Sequence, residues 1–206
     1  ILAYLFLQVS LIGATSIRDE QQQGTLESLF LTPATKITNV IAKLVIQIII
    51  TSFNAVLLYF AILVFIGPMD FSNYLIVFPL FFFMLIQFVG LGLIYAALTL
   101  KFKETIVVAS NLSIFLIMIF SSMFYTFSTI PDGPLKFISL ILPTSYSIDA
   151  IRTSLLGYPL GFPELLPFNI EIIIIIVSSF ALLFFGTYIY LRIERQARRL
   201  GTLLEY

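Results

Sequence analysis

From Phe71 to Leu100 the chain runs without a charged residue, and Leu44 to Met69, Thr105 to Ile130 and Ile172 to Leu191 do the same. Each reaches the roughly 20 residues that a helix needs to cross the hydrocarbon of a bilayer. A further apolar stretch, Ile1 to Ile17, is short for a span. It begins without an initiator Met or a basic flank, so it reads as the remainder of a longer helix and not as a signal peptide. Apolar residues make up 60% of the chain and charged ones 11%, and the mean hydropathy is +1.07, more apolar surface than a soluble fold of this size can hide. The expectation is an all-α polytopic membrane protein with about five transmembrane helices, near 1–17, 44–69, 74–100, 105–128 and 169–191, in a single transmembrane domain over 1–206.

Composition also narrows the chemistry. Lys and Arg balance Asp and Glu, and no basic cluster with interleaved aromatics suggests a nucleic-acid partner. Cysteine and histidine are both absent, which removes disulfides, thiol and imidazole catalysis and the usual zinc ligand sets. Carboxylates remain, but Asp132, Asp149 and Glu164 are irregularly spaced in one loop and form no recognisable catalytic constellation.

Between the first two apolar stretches lies a polar segment, Ile17 to Pro33, built as a short surface helix. Gly24 can break the arriving helix, Thr25 can cap a new one, and Glu27 falls in its first turn, where the helix dipole favours a carboxylate. Leu26, Leu29 and Phe30 then form one apolar stripe, and Pro33 ends it. Such an element points to a docking partner or to the lipid surface.

The run Glu20 to Pro33 with Lys43, including Gly24-Thr25-Leu26-Glu27 and Thr32-Pro33, resembles the cytoplasmic loop of type 2 ATP-binding-cassette (ABC) transporter permeases. Pro143-Thr144-Ser145-Tyr146, followed by Asp149-Ala150-Ile151-Arg152 and Gly157, is similar to a second motif of that family, in the family's order. Gln21, Gln22 and Gln23 replace the usual charged residues, and Ala42 stands where the family often has glycine. The resemblance implies six spans in the full protein, the first lying upstream of Ile1. It further implies a coupling helix over 25–32 and short re-entrant helices on the outer face within 134–157.

Lys and Arg distribution sets the expected orientation. Arg18, Lys36, Lys43, Lys101, Lys103, Arg192, Arg195, Arg198 and Arg199 fall on one side of this layout, and only Lys136 and Arg152 on the other. By the positive-inside rule the first group is cytoplasmic, with a tail over 192–206 anchored at the inner leaflet. In the outer segment Leu135 to Leu142 and Ser147 to Leu156 are each too short to span and are split by Pro143. Asp149 and Arg152, three apart, are expected to meet on a helix and offset each other's cost near the membrane.

Polar residues within spans need a face away from lipid. Gln47, Thr51 and Asn54 share one helical face, and Asn111, Ser122 and Tyr125 are expected to share another. These are candidates either for a substrate path or for interhelical hydrogen bonds. Gly90, Gly92 and Ala96 read as a small-residue packing surface.

No Gly-x-x-x-x-Gly-Lys-Ser/Thr phosphate loop occurs in these residues, so ATP would have to be hydrolysed by a partner. The resemblance thus implies a permease subunit, not itself an enzyme, in a multi-pass exporter of a prokaryotic plasma membrane. It would carry no cofactor of its own, with ATP and Mg in separate ABC ATPase subunits, and would pair with an identical or related permease. Gly24, Thr25, Leu26, Glu27, Leu29, Phe30 and Pro33 would dock the ATPase. The alternative is a secondary transporter or channel subunit, against which the scarcity of acids within the spans counts.

Overall fold

The computed structural model describes residues 2–23, 36–66, 74–102, 104–131, 133–156 and 161–200. Among them are seven α-helices: α1 (Leu2–Gln22), α2 (Lys36–Ile66), α3 (Tyr74–Phe102), α4 (Glu104–Phe120), α5 (Pro134–Ile141), α6 (Pro143–Leu156) and α7 (Phe168–Leu200). No strand occurs among these residues. Backbone groups in hydrocarbon have no water to bond, so helices, which satisfy their own, are the form such apolar segments take.

Among the described residues three helices are long and apolar enough to cross a membrane: Ile37–Leu58 of α2, Leu75–Phe102 of α3 and Phe168–Ala197 of α7. The apolar part of α4, Thr105–Phe120, is shorter. In α3 39% of the most apolar window is buried inside the bundle, against 17% in α2 and in α7, so α3 is the central helix. It packs most extensively against α7 on one side and α1 on the other. Large apolar side chains such as Phe53, Val64, Val108 and Phe184 face outward, the surface expected of a protein whose solvent is lipid.

Two apolar clusters hold the bundle. Val9, Ile17, Val40, Leu44, Leu93, Leu100 and Tyr190 join α1, α2, α3 and α7 near the end that carries Arg18, Lys43, Lys101 and Arg192. Phe6, Leu80, Met84, Ile114, Ile148 and Ile175 join α1, α3, α4, α6 and α7 towards the opposite end. The small residues sit where α3 is approached most closely. Gly92 faces α1, where Gly13 and Ser10 come up against it, whereas Gly90 faces Leu182 and Gly186 of α7. The expected single small-residue surface is therefore two surfaces on opposite sides of one helix, because residues two apart point about 200° from each other.

Helix ends differ from the expected spans in several places: α1 runs on to Gln22 and α2 begins at Lys36, ahead of residue 44. α4 stops at Phe120, short of residue 128, and Ser122 adopts a left-handed conformation with φ 54°. The tail does not separate from the last span, since α7 continues to Leu200. At the opposite end Pro143 does not merely divide two apolar runs. It opens α6, where a proline lacks no helical hydrogen bond.

Candidate functional site

α6 lies against α3 and α7, with Ser147, Ile148, Asp149, Ala150 and Ile151 all buried. Asp149 and Arg152 share this helix but turn to different partners. Asp149 Oδ2 accepts the backbone N–H of Glu164 at 2.8 Å and of Leu165 at 2.9 Å. Arg152 Nη2 donates to the carbonyl oxygens of Ser122 at 2.6 Å and Tyr125 at 3.0 Å. The expected pairing is replaced because irregular backbone on either side of α6 needs donors and acceptors, and one charged group serves two backbone groups at once.

Residues 164–166, ahead of α7, are held through their backbone N–H groups. Glu171 Oε1 accepts the N–H of Leu166 at 3.3 Å, so three successive N–H groups, 164 to 166, are taken up by two carboxylates. Those two carboxyl groups also lie against each other. Glu164 in turn reaches back to the short 3₁₀ turn Phe127–Thr129, accepting the Phe127 N–H and the Ser128 hydroxyl. The ends of α4, α6 and α7 are thereby tied into one polar clasp. Tyr146, on the same helix as Asp149, donates to the Leu140 carbonyl at 2.7 Å, and burial, with the charge of Glu171, raises its phenol above the ordinary value.

Below the clasp sits a residue absent from the sequence-based candidates. Gln87, fully buried in α3, donates through Nε2 to Ser178 Oγ at 3.0 Å and to the Ile175 carbonyl at 3.5 Å. Its Oε1 accepts the Ser147 hydroxyl at 3.1 Å. One amide thus joins α3, α6 and α7. The signal was available: Gln87 is the only amide side chain in the apolar run Leu75–Phe102, and a lone amide in such a run needs partners on neighbouring helices.

The candidates for a substrate path divide. Thr51 is buried and Gln47 half-buried, joined by a long hydrogen bond of 3.4 Å, whereas Asn54 is exposed on the outside of the bundle. Asn111 is also exposed and donates to the Val107 carbonyl of its own helix at 2.8 Å. Ser122 and Tyr125 do not continue its helical face. They lie in the turn beyond α4, where the Tyr125 hydroxyl closes onto the Ile119 carbonyl and burial raises its phenol above the ordinary value.

The coupling-helix residues Gly24, Thr25, Leu26, Glu27, Leu29, Phe30 and Pro33 lie outside the described residues. The helices on either side of that segment are joined directly. Lys43 Nζ of α2 meets Glu20 Oε1 of α1 at 2.7 Å and donates to the Ser16 carbonyl at 3.2 Å.

Among the described residues Asp149 Oδ2, Arg152 Nη2 and Gln87 tie helices and loops together, whereas Asp149 Oδ1, Arg152 Nη1 and Glu171 Oε2 are buried without a hydrogen-bond partner. Comparison with the curated proteins gives no match. The family model described as ABC-2 type transporter matches residues 1–156, from the start of the chain to the last residue of α6, and the chain belongs to that family.

Proposed function

We propose that this chain is the membrane-spanning subunit of an exporter driven by ATP, which two separate ATPase subunits hydrolyse. In this reading a second permease, identical or related, completes the path. The family match over residues 1–156 is the observation that carries it. The Lys43 link supports the mechanical part: a push on segment 24–35 reaches two helices already clamped together, so it moves α1 and α2 as a unit. The end bearing Arg18, Lys43, Lys101 and Arg192 is taken as cytoplasmic from the charge bias.

Pull-down of the ATPase subunit tests the reading. Replacing Leu29 or Phe30 with Asp puts a charge into the docked surface, which costs several kcal/mol when unpaired. ATPase recovery and substrate-stimulated ATP hydrolysis should both fall at matched membrane levels of permease. Undiminished recovery and stimulation with Phe30→Asp would overturn the docking assignment. Glu27→Lys should weaken coupling less, through a dipole contribution of about 0.3 to 1 kcal/mol.

A further inference from the structure

The outward face of α7 changes character abruptly near its arginine end. Val177, Phe184, Tyr188, Leu191 and Arg195 follow at sevens, fours and threes, the spacing of one helical stripe, with Arg192 beside it. Val177, Phe184 and Tyr188 are exposed, as are Arg192, Arg195 and Gln196. The lower part of the stripe borders an open surface depression of about 460 Å³ along Tyr188, Leu191, Arg192, Arg195 and Gln196. Glu194, the acid between the two arginines in sequence, is buried against the bundle. Among the described residues neither Arg192 nor Arg195 has a carboxylate within ion-pair distance.

We infer that this face binds a phospholipid with an anionic headgroup, its phosphate between Arg192 and Arg195 and an acyl chain along Tyr188, Phe185 and Phe184. Charge complementarity selects the headgroup. Two guanidiniums one turn apart offer planar, paired donors suited to phosphate oxygens, and Gln196 adds an amide. Length selects a lipid over a soluble phosphate. Arg195 to Phe184 spans about 16 Å at 1.5 Å per residue, close to the roughly 15 Å of one leaflet's hydrocarbon. Tyr188 stands at the junction between the apolar part of the stripe and the arginines, where aromatic residues are enriched at bilayer interfaces. A diffuse attraction of basic residues to an anionic surface would need no such stripe. A cradle gives selectivity for one lipid at one place.

Native mass spectrometry of the full-length protein in detergent, titrated with phosphatidylglycerol or with phosphatidylcholine of the same acyl chains, tests this. Phosphatidylglycerol should bind about thirtyfold more tightly, from two arginine contacts with the anionic headgroup. Arg192→Gln with Arg195→Gln should abolish the preference. Arg192→Lys with Arg195→Lys keeps the charge but not the paired donors, and should lose at least half of the preference on a logarithmic scale. Phe184→Ala with Phe185→Ala should weaken phosphatidylglycerol binding while both arginines remain, and a circular-dichroism melt reports whether each variant is folded. Equal binding of the two lipids would overturn the proposal. So would a lysine variant indistinguishable from the parent, which would reduce the face to a diffuse charge anchor. Competition by inorganic phosphate as effective as by lipid would remove the acyl-chain part and overturn it too.

Discussion

Gly90 of α3 and Gly186 of α7 meet backbone to backbone. A methyl group placed on Gly186 would run into the Gly90 carbonyl oxygen, and one placed on Gly90 would come within 2.6 Å of the Leu182 carbonyl carbon. On the other side of α3 a methyl group on Gly13 of α1 would meet the Gly92 carbonyl in the same way. Lipid supplies no hydrophobic drive between helices, so close approach through small residues adds van der Waals contact to the side-chain packing and hydrogen bonds that join this bundle.

Gly186→Ala and Gly13→Ala should therefore each destabilise the protein, by about 1–3 kcal/mol, because the obstructing atoms are backbone and the helices must part. Thermal unfolding in detergent checks this. Val108→Ala, at a residue 72% exposed to the surroundings, should shift stability by no more than about 0.5 kcal/mol.

Arg152 holds the turn after α4. Arg152→Gln shortens the reach to the Ser122 and Tyr125 carbonyls and removes the charge, leaving partly buried acceptors unpaired at a cost of about 1–3 kcal/mol. Ser122 sits at φ 54°, where a residue with a side chain is strained, so the turn should loosen first. Faster hydrogen exchange confined to residues 119–127, with α7 unchanged, is the expected result.

Asp149 should discriminate between two substitutions. Asp149→Asn keeps a carbonyl oxygen able to accept the Glu164 and Leu165 N–H groups, whereas Asp149→Ala leaves both donors without a partner. The alanine variant should lose about 2 kcal/mol or more and the asparagine variant less than half of that. Denaturation of the two variants side by side decides it; equal losses would mean that the charge, and not the acceptor, matters.

How far the residues foretold the molecule varied with the range of the interaction. Apolar runs located α2, α3 and α7 because length and hydropathy are local properties, and Gly90 and Gly92 declared close packing for the same reason. Which neighbour each glycine met was not legible, since Gly13 and Gly186 are far from them along the chain. Asp149 and Arg152 misled for a related reason. Their spacing is right for a pair on α6, but the loop at 164–166 and the turn at 122–125 offered each a better set of partners, 15 to 16 and 27 to 30 residues away along the chain. Gln87 is marked in the sequence only by its isolation in an apolar run; its partners Ser147 and Ser178 lie 60 and 91 residues away, so local pattern does not say which helices it joins.

Lys43 and Glu20 should show weak thermodynamic coupling and strong functional coupling. The pair is part-exposed, 31% and 18% for the two side chains, so a double-mutant cycle of Lys43→Met and Glu20→Gln should give no more than about 1 kcal/mol, less at high salt. If the link carries motion from segment 24–35 to the bundle, each single variant should nevertheless transport more slowly per ATP hydrolysed, at unchanged permease levels. Transport in proteoliposomes with the ATPase subunit measures the ratio, and a parental ratio in both variants would disconnect the link from coupling.

The path candidates can be sorted by accessibility. Asn54 and Asn111 are polar and exposed on the outside of the bundle, where bare lipid would disfavour them; a water-lined cavity shared with a second permease would not. Cysteines at these two positions, in a chain with none of its own, should react with a membrane-impermeant thiol reagent in the assembled transporter. Ile49→Cys, 63% exposed but on another side of α2, should stay unreactive in lipid, and Thr51→Cys should be protected by its burial against the bundle. The contrast between Asn54 and Ile49 is the informative one, because both are open in the single chain and only their surroundings in the assembly differ. Reaction rates should change when ATP is added if the cavity opens and closes with the cycle. Protection of Asn54→Cys and Asn111→Cys equal to that of Ile49→Cys, with and without ATP, would place both asparagines against lipid or in packed contacts and remove them from the path.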